Sequence, residues 1–438
     1  MAKIDNRLRF LFYRALTGKT ARLPVPAAFA LYQAASGLLS RRKVPSIRVI
    51  EREYLSSLRE GLTPGANVWT SLFVPTEILY AFGLSPLSLE GLAAMCASMG
   101  IAGDFLGRHG THFVPNTMCN FHRLAIDLGR SGCLATPRLI LASSALCDGN
   151  AKTFEHLAEE TGAPFFFLDV PQMEDPAGVA YLVSQLQELI AFIGRVTGRA
   201  FDPLRLDKAA AELRTSRELW EAIHVRRCRL RRNLYHGHQM INFMLPWNTL
   251  SGSPRLTRIC RAILADLDRE ALYNRAFPPE SSEETIRIVW AHIAPAFQYN
   301  EIWPFIDDGK SAKIVMEECT RFPVDPPDTG DALERIARRL INTPGNGPLE
   351  KRLRVLETLC REARADGIVH FSHWGCHQAS GAVPLMQQHF GERGIPFLNI
   401  DGDGVDARSC GMEQHKTRYS AFQESIRQVR NRSGRRSP

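Results

Sequence analysis

Three cysteines stand where a chain can do chemistry. Cys119 opens a helix-like segment, NTMCNFHRLAIDLG, while Cys147 and Cys376 each follow an apolar β-like run at a turn. Strand-to-helix turns of this kind face the crevice at the carboxyl ends of open α/β sheets, where ligands bind. Three thiolates converging there can hold an iron-sulfur cube through three of its irons and leave the fourth open to water or substrate. Inert buried thiols account for the same positions, and no Cys-x-x-Cys pair supports a cluster locally.

The elements that must position these residues are legible around each cysteine. In the stretch from Asp366 to Phe422, Ile368, Val369 and Phe371 form a short buried strand, and the chain turns at His373-Trp374-Gly375-Cys376. Pro384 suits the first turn of the next helix, which Leu385 to Phe390 carry, and Gly391 and Gly394 end it before a second strand, Pro396 to Ile400. Arg138 to Pro171 repeats this plan, with Leu139 to Leu141 and Ala145-Leu146 as strand, Ala151 to Glu160 as helix and Pro164 to Leu168 as strand. Earlier still, Asn67 to Gly83 reads as a β-like run, Pro75, and a helix with Glu77 in its first turn, where a carboxylate complements the helix dipole. A third unit begins at Glu284, with Tyr299 to Lys310 expected as helix and Lys313 to Glu317 as strand.

Strands and helices alternate, so the expected class is α/β: two to three flavodoxin-like or Rossmann-like units with parallel sheets, plus a helical region. The expected divisions are a basic helical leader (residues 1–66), a first α/β domain with Cys119 and Cys147 (67–175), a mainly helical region (176–283), a second α/β unit (284–345), a carboxyl-terminal α/β unit with Cys376 (346–426) and a basic tail (427–438). A chain of 438 residues exceeds what one core normally supports.

The net charge of +8 belongs to the ends. Residues 1–43 hold nine lysines and arginines against the single acid Asp5, and residues 427–438 hold five arginines and no acid, so the body between is net acidic. Nucleic-acid binding would need its basic residues on the folded body. Ten cysteines without a framework point to reducing cytosol. Val25 to Leu39 is apolar behind a basic start, but Gln33 interrupts it, and no uninterrupted apolar run reaches membrane-spanning length.

Other motifs fail on spacing. Gly18-Lys19-Thr20 lacks the upstream glycine of a phosphate loop, since position 13 is Tyr. Gly345-Asn346-Gly347 and Gly402-Asp403-Gly404 give no dinucleotide fingerprint opening a helix. His236-Gly237-His238 and the pair His370 and His373 each offer two zinc ligands and no third. Arg226, Arg227, Arg229, Arg231 and Arg232 can hold phosphates, and a solvated helix face accounts for the same pattern.

From about Asn67 to Phe422 the chain resembles the D-component family of 2-hydroxyacyl-CoA dehydratases and the related benzoyl-CoA reductase subunits. The likeness rests on HWGCHQ, on GIPFLNIDGDGVDAR, and on the closing Gln414-x-x-Thr417-Arg418-x-x-x-Phe422. Upstream it rests on Pro75-x-Glu77, Cys119 and Cys147-Asp148. It implies a [4Fe-4S] cluster held by Cys119, Cys147 and Cys376, in a subunit paired with a paralogue or a second copy. An ATP-hydrolysing iron-sulfur activator would inject one electron, and an acyl-CoA substrate would lose its hydroxyl through a ketyl radical. Glu77 would serve as acid, base or hydrogen-bond partner, His373 and Gln378 would tune the cluster, and Arg226 and Arg229 would bind the CoA phosphates. A helix-dipole carboxylate, a packed loop histidine and a surface amide are the plain alternatives for Glu77, His373 and Gln378. The same scaffold carries ATP-dependent reductases, including double-cubane types for which Cys96, Cys133 and Cys410 would supply further thiolates, and a subunit that only relays electrons is the non-catalytic alternative. No nucleic acid and no membrane span are expected.

Overall fold

The computed structural model describes residues 12–14, 27, 30–34, 44–108, 113–230, 234–276, 285–297, 301–322 and 330–432. Eight strands form two parallel sheets of four: β1 (Asn67–Thr70), β2 (Ser85–Ser88), β3 (Leu139–Ser143) and β4 (Phe165–Leu168) in the order β2-β1-β3-β4, and β5 (Ile286–Ala291), β6 (Ala312–Glu317), β7 (Gly367–His373) and β8 (Phe397–Gly402) in the order β6-β5-β7-β8. In both sheets the chain first steps one way and then the other, so each has a switch point, between β1 and β3 and between β5 and β7. Crevices outside the strand carboxyl ends open at such points.

Both faces of each sheet are covered, so apolar residues are buried on alternate sides of the same strand. In the first sheet Trp69, Ile140 and Ala142 pack with the Leu89–Ser98, Asn120–Arg130 and Gly149–Thr161 helices. The alternate residues Val68, Leu139 and Leu141 face the Thr76–Ala81, Pro176–Thr197 and Ala332–Ile341 helices. In the second sheet Ile288, Trp290, Val369 and Phe371 meet Tyr419, Phe422 and Ile426 of the Met412–Arg432 helix. Ile368, Val289 and Val315 meet the Leu349–Ala363 and Val383–Glu392 helices. Each such side chain, fully buried, contributes roughly 1.5–3 kcal/mol. A helical layer containing Pro203–Arg229, Gly237–Asn242, Met244–Leu250 and Pro254–Ala276 stands beside the sheets around Trp220 and Trp247.

The stretches 284–345 and 346–426 contribute to one sheet, because β5 pairs with both β6 and β7. The Ala332–Ile341 helix, which lies between β6 and β7 in the chain, packs Ile336, Ala337, Leu340 and Ile341 on the first sheet. The helix expected from Tyr299 to Lys310 is a single turn, Trp303–Ile306, with residues 298–300 outside the described set. It stops because the Asp308 carboxylate accepts from the backbone N–H groups of Lys310, Ser311 and Ala312 at 2.8, 2.8 and 3.1 Å, folding the chain into β6. The strand before Cys147 ends at Ser143, short of Ala145-Leu146, and Leu146 takes a left-handed conformation, φ 62°.

Most of the basic leader, the Gly18-Lys19-Thr20 motif and residues 433–438 lie outside the described residues. Phe12 and Tyr32 of the leader are buried in the first core, their rings 5.2 Å apart. The basic tail begins as helix, since Met412–Arg432 runs through it, and Arg430 bonds Asp366 through Nε at 3.0 Å. Among the described residues one helix, Pro176–Thr197, is long and apolar enough by composition to cross a membrane. Its Val179, Leu182, Leu186, Leu189 and Ile193 row is buried on the first sheet.

His236-Gly237-His238 owes its glycine to packing. A Cβ on Gly237 would collide with the Ile314 side chain on β6, and the Gly237 N–H donates to Asp307 at 2.6 Å. Gly237→Ala should therefore destabilise the protein by about 1–3 kcal/mol through overpacking, read as a lower midpoint of urea denaturation; an unchanged midpoint would show that the contact relaxes freely.

Candidate active site

A cavity of about 250 Å³ opens between the two switch points. Its lining includes Glu77 from beyond β1, Cys147 from beyond β3, His292 from beyond β5, and His373 and Cys376 at the end of β7. Cys119 joins them from the start of the Asn120–Arg130 helix, and Gln378 from the His377–Ser380 helix. The structure thus gathers six of the eight residues singled out in the sequence around one space. Arg226 and Arg229 are not among its lining: Arg226 pairs with Asp268, and Arg229 is exposed at the end of its helix. Their neighbour Arg227 is buried and makes a two-pronged bond to Glu317 at 2.9 and 2.7 Å, so the arginine run divides over different faces. Arg231 and Arg232 lie outside the described residues.

Each cysteine sits at a helix N-terminus. Cys119 and Cys376 are the N-cap residues of their helices, and Cys147 precedes the Gly149–Thr161 helix by one residue, Asp148. Unsatisfied N–H groups and the helix dipole there favour an anionic sulfur. Burial acts the other way and wins in the free thiols. It drives Cys119 well up, with Cys376 adding to the rise, and pushes Cys147 up to about 12, with Glu90 and Cys376 adding. As thiolates on one cavity they would repel one another and need hydrogen-bond donors or positive charge beside them.

Imidazoles stand beside all three sulfurs. His373 Nε2 lies 3.2 Å from Cys119 Sγ, His122 Nε2 lies 3.1 Å from Cys147 Sγ, and His292 Nε2 lies 3.9 Å from Cys376 Sγ. The Gly404 N–H donates to His373 Nδ1 at 2.8 Å, so in the neutral ring Nε2 carries the proton and points it at the Cys119 sulfur. Burial lowers His122 and His373 each to about 4, and lowers His292 well below its usual range with help from Arg352 and His370. These rings are neutral at physiological pH.

The Gly402-Asp403-Gly404 loop, no dinucleotide fingerprint, holds this arrangement from beyond β8. Asp403 accepts from Asn120 Nδ2 and from the Val405 and Asp406 N–H groups at 2.7 and 2.9 Å, tying the loop to the start of the Cys119 helix. Gly404 also accepts from Ala296 N at 2.7 Å. Behind Cys376, Arg352 bonds Glu318 at 2.6 and 2.8 Å and reaches the Gln378 carbonyl at 3.3 Å, while Glu318 accepts from the His292 N–H at 2.8 Å. Burial alone would raise the Glu318 carboxyl, but the Arg352 guanidinium holds it below its ordinary value.

Glu77 is 1% exposed and pairs with Arg339, while its Oε2 has no hydrogen-bond partner. The helical layer presses on it: Gly252, at φ +86°, leaves room where a Cβ would stand 2.7 Å from Glu77 Cγ. Gln378 donates to the Gly345 carbonyl. Glu90, His122, His292, Glu318 and Arg352 are not among the residues the sequence singles out. Of these, His122 carried a signal, standing three residues into the helix that Cys119 opens; the others are assembled by pairing between distant segments. Glu90 also lines the cavity, its carboxyl pushed up to about 8 by burial.

No three His, Cys, Asp or Glu side chains among the described residues gather tightly enough for a single metal ion. A zinc-type site draws thiolates to about 2.3 Å from one centre, whereas a cube distributes them over separate irons. Three thiols on one cavity wall, at helix N-termini and with imidazole nitrogens alongside, fit the wider group. Cys96 and Cys133 pack in the first core and Cys410 against the second, none of them on this lining.

Two parallel sheets that meet switch point to switch point over a cysteine-rich cavity define a two-sheet α/β enzyme. The family model described as 2-hydroxyglutaryl-CoA dehydratase, D-component, matches residues 71–426, and the chain belongs to that family. The alpha subunit of (R)-2-hydroxyglutaryl-CoA dehydratase from Acidaminococcus fermentans is 22% identical over 314 residues, which cover 69% of this chain and 63% of that subunit. The alpha subunit of lactoyl-CoA dehydratase from Anaerotignum propionicum is 24% identical over 84% of this chain and 92% of its own length. A benzoyl-CoA reductase subunit from Thauera aromatica is 24% identical over 68% of this chain and 72% of its own.

Gly375 is the contact on which the two halves of the site close. It has φ +75°, and a Cβ there would stand 2.5 Å from Cys119 N and 2.6 Å from Thr117 O. Gly375→Ala should cost about 2 kcal/mol or more, combining left-handed strain with a backbone clash. Gly391→Ala, with nothing within 4 Å, should be neutral or stabilising. Equal denaturation midpoints for the two variants would refute the close approach.

Proposed function

We propose that the chain is the [4Fe-4S] subunit of a 2-hydroxyacyl-CoA dehydratase, with Cys119, Cys147 and Cys376 as the ligands. The observation that carries this is their convergence, with Glu77, on one cavity at the paired switch points. Such a cluster, when bound, supplies low-potential one-electron chemistry and an iron open to the substrate oxygen.

The chain's own residues then have distinct tasks. His373 donates its Nε2 proton toward the Cys119 sulfur, which stabilises a thiolate and draws electron density from it. Arg352 places a buried positive charge behind Cys376. Glu77, held by Arg339 through one oxygen, keeps Oε2 for a proton on its way to or from the substrate. Gln378, anchored on Gly345, orients the turn that follows Cys376. A second subunit accords with relatives named as alpha subunits and with a 26% identical stretch of 115 residues in the beta subunit of (R)-phenyllactyl-CoA dehydratase from Clostridium sporogenes. An ATP-hydrolysing activator as electron donor completes the proposal.

A reductase on the same scaffold is the second reading, favoured by the benzoyl-CoA reductase relative. Its double-cubane form has no support from the cavity lining, where Cys96, Cys133 and Cys410 do not appear.

Anaerobically purified chain should contain about four irons and four acid-labile sulfides. Cys119→Ala, Cys147→Ala and Cys376→Ala should each lose or halve that content, while Cys360→Ser, in a core away from the cavity, should keep it. Iron-free wild type would end this reading, and about eight irons would favour the double-cubane reductase. Glu77→Gln should retain the iron and lower the dehydration rate by about 10²-fold; an unchanged rate would remove Glu77 from the chemistry.

A further inference from the structure

The cavity has two kinds of wall. Strand ends and their turns supply the thiols, imidazoles and Glu77, whereas the helical layer supplies Leu213, Ile241, Met244, Leu245 and Trp247, joined by Phe322. The hydrocarbon wall is preformed. The Trp247 and Phe322 rings stack 3.9 Å apart and 1° from parallel, and Trp220 braces both at 5.6 Å between centroids.

Three arginines at the cavity are paired with carboxylates of the protein. Arg321 pairs with Glu221 at 3.0 Å, Arg339 with Glu77, and Arg352 with Glu318. Arg217, on the same helix as Leu213, also reaches the lining and is 9% exposed. A substrate carboxylate entering here would shed its water against hydrocarbon and compete with carboxylates already paired. A hydrocarbon acyl group gains from every carbon buried. A volume of about 250 Å³ exceeds the ~150 Å³ apolar cavity that admits benzene.

We infer that this wall receives the acyl end of the substrate, and that the acyl group is apolar, branched-aliphatic or aromatic, rather than carboxylate-terminated. The inference rests on the dehydratase reading above and names the substrate class of that same site.

The test uses unreactive thioesters lacking the 2-hydroxyl group: 4-methylpentanoyl-CoA, propanoyl-CoA and glutaryl-CoA, with free CoA as reference. Binding is measured by calorimetry on the anaerobically purified full-length protein. At about fourfold per buried methylene, from ~0.8 kcal/mol each, 4-methylpentanoyl-CoA should bind about 50-fold more tightly than propanoyl-CoA, and glutaryl-CoA no better than propanoyl-CoA. Met244→Ala and, separately, Phe322→Leu should reduce the 4-methylpentanoyl advantage severalfold and leave free CoA unchanged; two variants guard against one that misfolds. Equal binding of 4-methylpentanoyl-CoA and propanoyl-CoA, both tighter than free CoA, would overturn the apolar wall and leave the dehydratase reading standing. Preference for glutaryl-CoA that disappears in Arg217→Met would assign the site to a carboxylate-terminated acyl group and overturn the inference. Failure to bind any thioester by protein carrying its full iron content would sink the dehydratase reading itself.

Discussion

The close approach at Gly375 is the constraint on which this structure depends. Two sheets of the same strand order face each other at their switch points, and the turn after β7 touches the backbone that opens the Cys119 helix. No side chain fits between them, so a residue without a Cβ, free to take positive φ, is required there. From that contact the rest follows. Cys376 and Cys119 come onto one cavity, the β8 loop can bond both His373 and Asn120, and Arg352 can sit behind the cysteine turn with Glu318.

The electrostatics of the site come from backbone as much as from side chains. Each cysteine lies at a helix N-terminus with an imidazole nitrogen beside its sulfur, and the buried guanidinium of Arg352 has its charge matched by Glu318. A buried charge pair of this kind is a poor source of stability. Its value here is to fix the Gln378 carbonyl and the His292 backbone to one rigid group.

Local patterns in the sequence disclosed the strands and the turns but not the pairings. Cys119, Cys147 and Cys376 were recognisable because each stands at a turn whose glycine and proline punctuation is strong, and β7 because Ile368, Val369 and Phe371 are apolar β-forming residues. That β5 through β8 form one sheet was not legible, since parallel pairing joins segments far apart and leaves no periodic mark. The same holds for Glu318, His292 and Arg352, which meet only after the second sheet has formed. The Trp303–Ile306 turn was over-read as a longer helix because Asp308, taken for a helix residue, spends its carboxylate on the backbone of the next turn. Arg226, Arg227 and Arg229 were read as one cluster because adjacency in sequence was taken for adjacency on a face, and along a helix consecutive residues point in different directions. Likeness to a known family, rather than any local signal, is what joined Glu77 to the cysteines.

The Ala332–Ile341 helix gives the chain an unusual indivisibility. Encoded within the second sheet, it roofs the first with Ile336, Ala337, Leu340 and Ile341, and its Arg339 meets Glu77 from that position. A fragment ending before residue 330 would lose one of the three helices that cover the Leu139 and Leu141 face of its sheet, and the complementary fragment would carry an orphaned greasy helix. Neither piece is a portable module. Proteolytic trimming, split-protein expression and domain grafting all cut across this strap, so the polypeptide must be made, folded and turned over as one body.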